Sequence, residues 1–140
     1  MHCGRRSLLS IILLAPALTG NALAQQDAWQ GTLQQAMQRA RSLRDQALQT
    51  GDQGYGAVVL RGEQIIGEAP SRVVFANDPT AHAEMEAIRD AARRLRSRDL
   101  SGCILVSTSR PCRMCEAAAS WARITRMIHG DALTDAGAPS

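Results

Sequence analysis

Apolar positions along the chain fall into two periods, and the switches between them lay out the elements. Over residues 28–49, Trp29, Leu33, Met37, Ala40, Leu43 and Ala47 recur at steps of three and four, which predicts an amphipathic helix ended by Thr50-Gly51. Residues 56–60 and 64–68 are short β-rich runs on either side of Arg61-Gly62-Glu63, a hairpin signal. A second helix starts at His82, with Asp78 or Thr80 as its cap and Met85, Ile88, Ala92 and Leu95 as its apolar stripe, and runs to about residue 96. Residues 103–107 form a compact apolar strand that leads directly to Pro111, and a third helix covers 112–122. Residues 126–129 read as a last strand, and 131–140 as a flexible tail. The order helix, hairpin, helix, strand, helix, strand predicts one α/β domain over 25–130, a mixed sheet with helices packed on it.

The first 24 residues have a different pattern, that of an export leader. His2, Arg5 and Arg6 give a positive start, residues 8–18 are mostly apolar, and Ala22-Leu23-Ala24 fits the small-x-small cleavage rule. The apolar run is well short of the ~20 residues that span a bilayer, so no membrane anchor is expected after cleavage. A periplasmic or secreted location follows. Arg5-Arg6-Ser7-Leu8-Leu9 is also similar to a twin-arginine signal, which leaves both that route and the general secretory route open.

Removing the leader changes the charge. The 16 basic residues are all arginine against 13 acidic ones. Two arginines leave with the leader, so the remainder is close to neutral and gives little support to a nucleic-acid partner. Two Trp, one Tyr and one Phe also offer few platforms for stacking bases.

The chemistry lies in two stretches. Asp78-Pro79-Thr80-Ala81-His82-Ala83-Glu84 supplies one imidazole and one carboxylate, and Pro111-Cys112-Arg113-Met114-Cys115 supplies two thiols. Cys112 and Cys115 are i and i+3, so on a first helical turn both sulfurs face one ion. Alone, that pair would as readily be a disulfide or a redox pair; the His-x-Glu stretch favours zinc, with three ligands and an open fourth position. His82 and Glu84, at i and i+2, converge only if the helix aims its end at the metal. Two helix N-termini directed at one zinc are therefore expected. Cys103 reads as a buried strand residue, Trp121 as core, and Phe75 as either core or pocket wall. Arg89, Arg93, Arg94, Arg96 and Arg98 read as a solvated helix face more than as a phosphate patch.

These two motifs, together with Tyr55 before Gly56-Ala57-Val58-Val59 and Trp121-Ala122-Arg123-Ile124, resemble the cytidine deaminase-like superfamily. The resemblance runs from about residue 30 to 130 and is to the branch holding guanine deaminases and tRNA adenosine deaminases. It implies a three-layer α/β/α fold with about four strands, C-terminally shortened. It implies that His82, Cys112 and Cys115 bind Zn²⁺ and that Glu84 relays protons in a hydrolytic deamination of an amino-substituted heterocycle. It implies that the Ala83 backbone and Tyr55 meet the substrate, and that Ser71 stands where relatives place a substrate-binding Asn. Homodimers are typical of the family, so a homodimer and a small-molecule substrate are expected. The other readings are tRNA editing and a zinc-binding or redox protein without activity. Two further departures stand out: Arg110 replaces a common Glu before Pro111-Cys112, and relatives continue beyond the equivalent of Gly130.

Overall fold

A computed structural model describes residues 20–140. Residues 1–19 lie outside it, and with them most of the expected leader. The elements are α1 (Gly20–Gln49), β1 (Gly56–Arg61), β2 (Gln64–Pro70), α2 (Val73–Ala76), α3 (Ala83–Leu95), β3 (Cys103–Ser107), α4 (Arg113–Trp121), β4 (Arg126–His129) and β5 (Thr134–Gly137). They build one mixed sheet in the order β2-β1-β3-β4-β5, with β3 and β4 parallel and every other pair antiparallel. Among the described residues, no helix is long and apolar enough to cross a membrane.

Period-2 alternation in the central strands sorts the core into two layers. Val58 and Leu60 of β1, Val106 of β3 and Ile128 of β4 face α1, where they meet Leu33, Ala36, Met37, Ala40 and Leu43. Their neighbours Ala57, Val59, Cys103, Leu105 and Met127 face the other way, against Ala83, Ala87, Ile88 and Ala91 of α3 and Ala119 of α4. The result is the expected α/β/α sandwich. β3, buried on both faces, reads as a continuous apolar run for that reason.

Two glycines set how closely the layers approach. A Cβ on Gly67 of β2 would sit 2.5 Å from the Ala91 nitrogen and 2.6 Å from the Ala87 oxygen, so α3 lies directly on the β2 backbone. A Cβ on Gly56 would sit 2.0 Å from the Ala40 oxygen of α1. Each side of the sheet thus has one point where a helix touches bare strand.

Several expectations shift. α1 starts at Gly20, before the expected cleavage point and eight residues ahead of Ala28, although its buried face begins only at Leu33. α3 packs through Ala87 and Ala91, with Met85 and Ala92 only half-buried, because contact with Gly67 requires small side chains. Asp78 does not cap α3; its Oδ1 accepts from the Thr80 N–H at 2.7 Å and the Thr80 hydroxyl at 2.8 Å, closing a local turn. Trp121 is not core but 89% exposed, on the outer side of the short α4. The sheet has a fifth strand within the expected tail: Thr134–Gly137 pairs with β4 through its backbone, with side chains mostly exposed. That strand carries no apolar alternation and gave no sequence signal.

Replacing Gly67 with alanine should cost about 1–3 kcal/mol through overpacking. Gly31→Ala, in α1 with nothing within 4 Å of the added carbon, should be neutral or stabilising by up to ~1 kcal/mol. Urea denaturation of both variants measures the contrast, and equal costs would contradict the close approach.

Candidate metal centre and active site

His82 and Cys112 occupy the same position in their helices. His82 is the N-cap of α3 (φ −62°, ψ 152°) and Cys112 the N-cap of α4 (φ −75°, ψ 169°), both extended, and neither side chain caps its own helix. An N-cap side chain ordinarily turns back to accept an amide of the first turn. Here both are left free to project beyond the helix ends, and α3 and α4 pack so that the ends meet. Cys115 follows in the first turn of α4 and Glu84 in the first turn of α3.

The ligand atoms form a nearly equilateral triangle. His82 Nδ1 lies 3.7 Å from Cys112 Sγ and 3.7 Å from Cys115 Sγ, and the two sulfurs are 3.7 Å apart. Bonds of ~2.3 Å to sulfur and ~2.0 Å to nitrogen in a tetrahedron place such atoms about 3.5–3.8 Å apart. The triangle is one face of that tetrahedron. A disulfide needs ~2.05 Å between sulfurs, and Cys112 and Cys115 are free thiols. Burial pushes the Cys115 thiol far above its ordinary value, with the Glu84 carboxylate and Cys112 beside it adding to the shift. Such a sulfur becomes a thiolate only against a cation, which is what a metal ligand requires. Zinc fits this donor set. No other group of three or more metal-ligating side chains converges among the described residues.

Glu84 stands beside the triangle without joining it, with Oε2 3.7 Å from Cys115 Sγ. It is buried, and burial raises its pKa; its own backbone N–H, His82 and Cys115 pull in the opposite direction. Glu86, two residues on, instead pairs with Arg89 on the outer face of α3. A cleft of about 440 Å³ opens onto Glu84, His82 and Cys112, walled by Gln53, Tyr55, Ser109 and Arg110. Ala83 is buried in the first turn of α3, its methyl in the core.

Ser71 is placed differently. It is buried, does not line the cleft, and donates its hydroxyl to Asp52 Oδ1 at 2.8 Å. The hydroxyl is thus engaged by an internal partner. Phe75, at 78% exposure, is neither core nor cleft wall; Arg72 stacks over its ring at 4.7 Å.

Asp52 is the residue that sequence reasoning missed. Besides Ser71, its carboxylate accepts the N–H groups of Gln53 at 2.7 Å, Val74 at 3.0 Å and Phe75 at 2.9 Å. It thereby fastens the segment bearing Gln53 and Tyr55 to the segment leading into α3. Burial opposes its charge, but the Phe75 N–H, the Ser71 hydroxyl and the Gln53 and Val74 N–H groups outweigh that and hold its pKa below the ordinary value.

Residues 30–131 match the cytidine and deoxycytidylate deaminase zinc-binding region. The chain belongs to that family. It is 40% identical over 101 residues to guanine deaminase of Bacillus subtilis, covering 71% of this chain and 65% of that protein. It is 43% identical over 82 residues to a tRNA-specific adenosine deaminase of Aquifex aeolicus, covering 59% and 54% respectively. A crystal structure of guanine deaminase from Bacillus subtilis superposes with a TM-score of 0.66 at 37% identity, covering 69% of this chain and 62% of that one. The chain thus spans just under two thirds, or less, of these proteins. The likeness includes the layer order and the mixed sheet, so the deaminase-like fold read from the motifs holds.

Two outcomes test the site. Cys112→Ser should lose bound zinc, measured as metal per chain after dialysis, whereas Cys103→Ser, buried in β3, should keep it. For Asp52, the folded pKa is depressed, so its stabilisation is full above the ordinary carboxylate value and lost as pH falls through the folded value. The stability gap between the parent and Asp52→Asn, from denaturation at a series of pH values, should be widest near neutrality and shrink on acidification.

Proposed function

We propose that this protein is a zinc-dependent hydrolytic deaminase of an amino-substituted nucleobase, nucleoside or similar small heterocycle, with guanine deaminase-like chemistry. The observation that carries the proposal is Glu84: a buried carboxylate of raised pKa, next to a three-ligand metal triangle and open to a cleft of small-molecule size. Sequence identity to guanine deaminase over most of this domain supports the same choice.

The reaction replaces a ring C–NH₂ by C=O, consuming water and releasing ammonia. When bound, zinc supplies Lewis acidity that makes a water nucleophilic at neutral pH. His82, Cys112 and Cys115 would hold the ion, and His82 and Cys112 also line the cleft. Glu84 takes a proton from the attacking water and delivers it to the ring nitrogen, then takes the remaining hydroxyl proton of the adduct and passes it to the departing amine as the C=O forms and the C–N bond breaks. A carboxylate whose pKa is raised by burial can both accept and donate in this sequence. Tyr55 offers an aromatic face at 45% exposure to one side of the ring.

The proposal extends to place and assembly. Residues 1–24 act as an export leader and put the enzyme in the periplasm or outside the cell. There a free small molecule is the better substrate than RNA, in keeping with the near-neutral charge after the leader. A homodimer is supported by the exposed Trp121 over an apolar groove formed with Ile88, Ala92, Leu100 and Ala122.

Zinc-loaded protein incubated with guanine, adenine, cytosine and their nucleosides should release ammonia from at least one of them. Glu84→Gln should reduce that rate by roughly 10²–10⁴-fold while keeping its zinc. An undiminished Glu84→Gln rate, or no ammonia from any compound in either protein, would overturn the deaminase proposal.

A further inference from the structure

One side chain of the cleft has no role in the chemistry above and a backbone that is already fully engaged. Gln53 lines the cleft together with Tyr55, Glu84, Ser109 and Arg110. Its N–H donates to Asp52 Oδ1 at 2.7 Å, and its carbonyl accepts the Tyr55 N–H at 2.8 Å. The turn around it is fastened on both sides. The Asp52 N–H donates to the Ala47 carbonyl of α1 at 2.9 Å, and the Tyr55 carbonyl accepts the Ser71 N–H at 2.9 Å. What Gln53 has left is its exposed side-chain carboxamide, which makes no hydrogen bond among the described residues.

The other polar side chains of the cleft offer less to a planar ring. Arg110 has donors only, and the hydroxyls of Tyr55 and Ser109 meet a ring edge through a single atom. Glu84 is planar and two-pronged, but the reaction occupies it. A carboxamide presents an N–H donor and a C=O acceptor side by side, and it matches a ring edge that carries the same pair reversed. Amino-heterocycles have two edges of that kind: an amino group beside a ring nitrogen, and a lactam, with N–H beside C=O. The first is taken up when its amino group is the one to be replaced. The lactam stays available.

We propose that Gln53 is a specificity-determining residue, its carboxamide donating to the C=O and accepting from the N–H of a lactam in the substrate ring while the amino-bearing carbon faces Glu84. This rests on the deaminase reading of the same cleft and adds the residue that selects among its substrates. A ring with a lactam satisfies both ends of the carboxamide. A ring without one takes water from the carboxamide and returns no hydrogen bond. Asp52 is then a positioning residue for Gln53, because it holds the backbone that presents the carboxamide.

Two pairs of compounds differ only in the lactam: guanine and 2-aminopurine, and isocytosine and 2-aminopyrimidine. On the zinc-loaded full chain, Gln53→Leu should lower kcat/KM for ammonia release from the lactam member of at least one pair about tenfold more than from its partner, the effect of two neutral hydrogen bonds. Comparing variant with parent cancels the intrinsic reactivities of the rings. Gln53→Glu has the same shape but no N–H donor, and it should penalise the lactam member in the same way. Both variants should keep their zinc. Equilibrium dialysis in the Glu84→Gln background should show the same selective loss in binding. A loss equal for both members, as a merely structural role would give, or no loss at all, would overturn the assignment. Binding and turnover confined to rings without a lactam, or binding of nothing in either pair, would overturn it too. Lactam-selective binding that disappears in Gln53→Leu, with no ammonia from any compound, would leave the role of Gln53 standing and remove the deaminase reading. Ammonia release indifferent to Gln53 would do the reverse.

Discussion

The contact of α3 with the bare backbone of β2 at Gly67 is the constraint on which the rest of this domain depends. No side chain separates the two elements there; the helix rests on the strand through Ala87 and Ala91. That contact fixes the height of α3 above the sheet and hence where its N-terminal end lies. Protein interiors are too tightly packed to absorb an added carbon at 2.5 Å without displacement. A shift of α3 would carry His82 and Glu84 with it, while Cys112 and Cys115 stay with α4. The geometry of the metal triangle is therefore tied to a glycine that meets the middle of the helix and not its metal-bearing end.

The site joins two kinds of order. His82, Cys112 and Cys115 are brought together by two helix ends, a rigid arrangement anchored in the core. Asp52, a buried carboxylate, ties the loop that walls one side of the cleft to a neighbouring segment: it binds Gln53 on one side and Ser71, Val74 and Phe75 on the other. Its charge is sustained by four donors, so it acts as a polar cross-link between segments about twenty residues apart in sequence. Ser71 makes sense within that cross-link. A short hydroxyl reaches inward to Asp52, and the cleft is left to Tyr55, Gln53 and Arg110.

Much of this was legible in the sequence wherever a local pattern carried it. β3 and β4 fall at the residues that their apolar runs mark, and the buried face of α1 follows the steps from Leu33 to Ala47. The metal ligands were readable because their spacing is itself the chemistry. What escaped depends on partners distant in sequence. Asp52 sits in a polar turn like many others, and only the folded chain brings Ser71 to it. β5 is held by backbone pairing that leaves no apolar trace. Trp121 has helical spacing, but spacing does not say which side of a nine-residue helix meets the core. On α3, Ile88 and Leu95 of the expected stripe do meet the core, but Met85 and Ala92 give way to Ala87 and Ala91, because the contact with Gly67 selects alanine.

The unused caps of α3 and α4 have a thermodynamic consequence. Each helix begins with a residue whose side chain contributes nothing to its own first-turn amides. In most helices that omission would cost about 1 kcal/mol per end and invite fraying. Here the same two side chains grip one ion, so metal occupancy and the integrity of both helix starts are linked equilibria. Zinc held by the native state and not by the unfolded chain raises stability in proportion to the logarithm of its concentration over the dissociation constant. Free metal around the protein would then govern not only how many molecules carry an ion but how many survive.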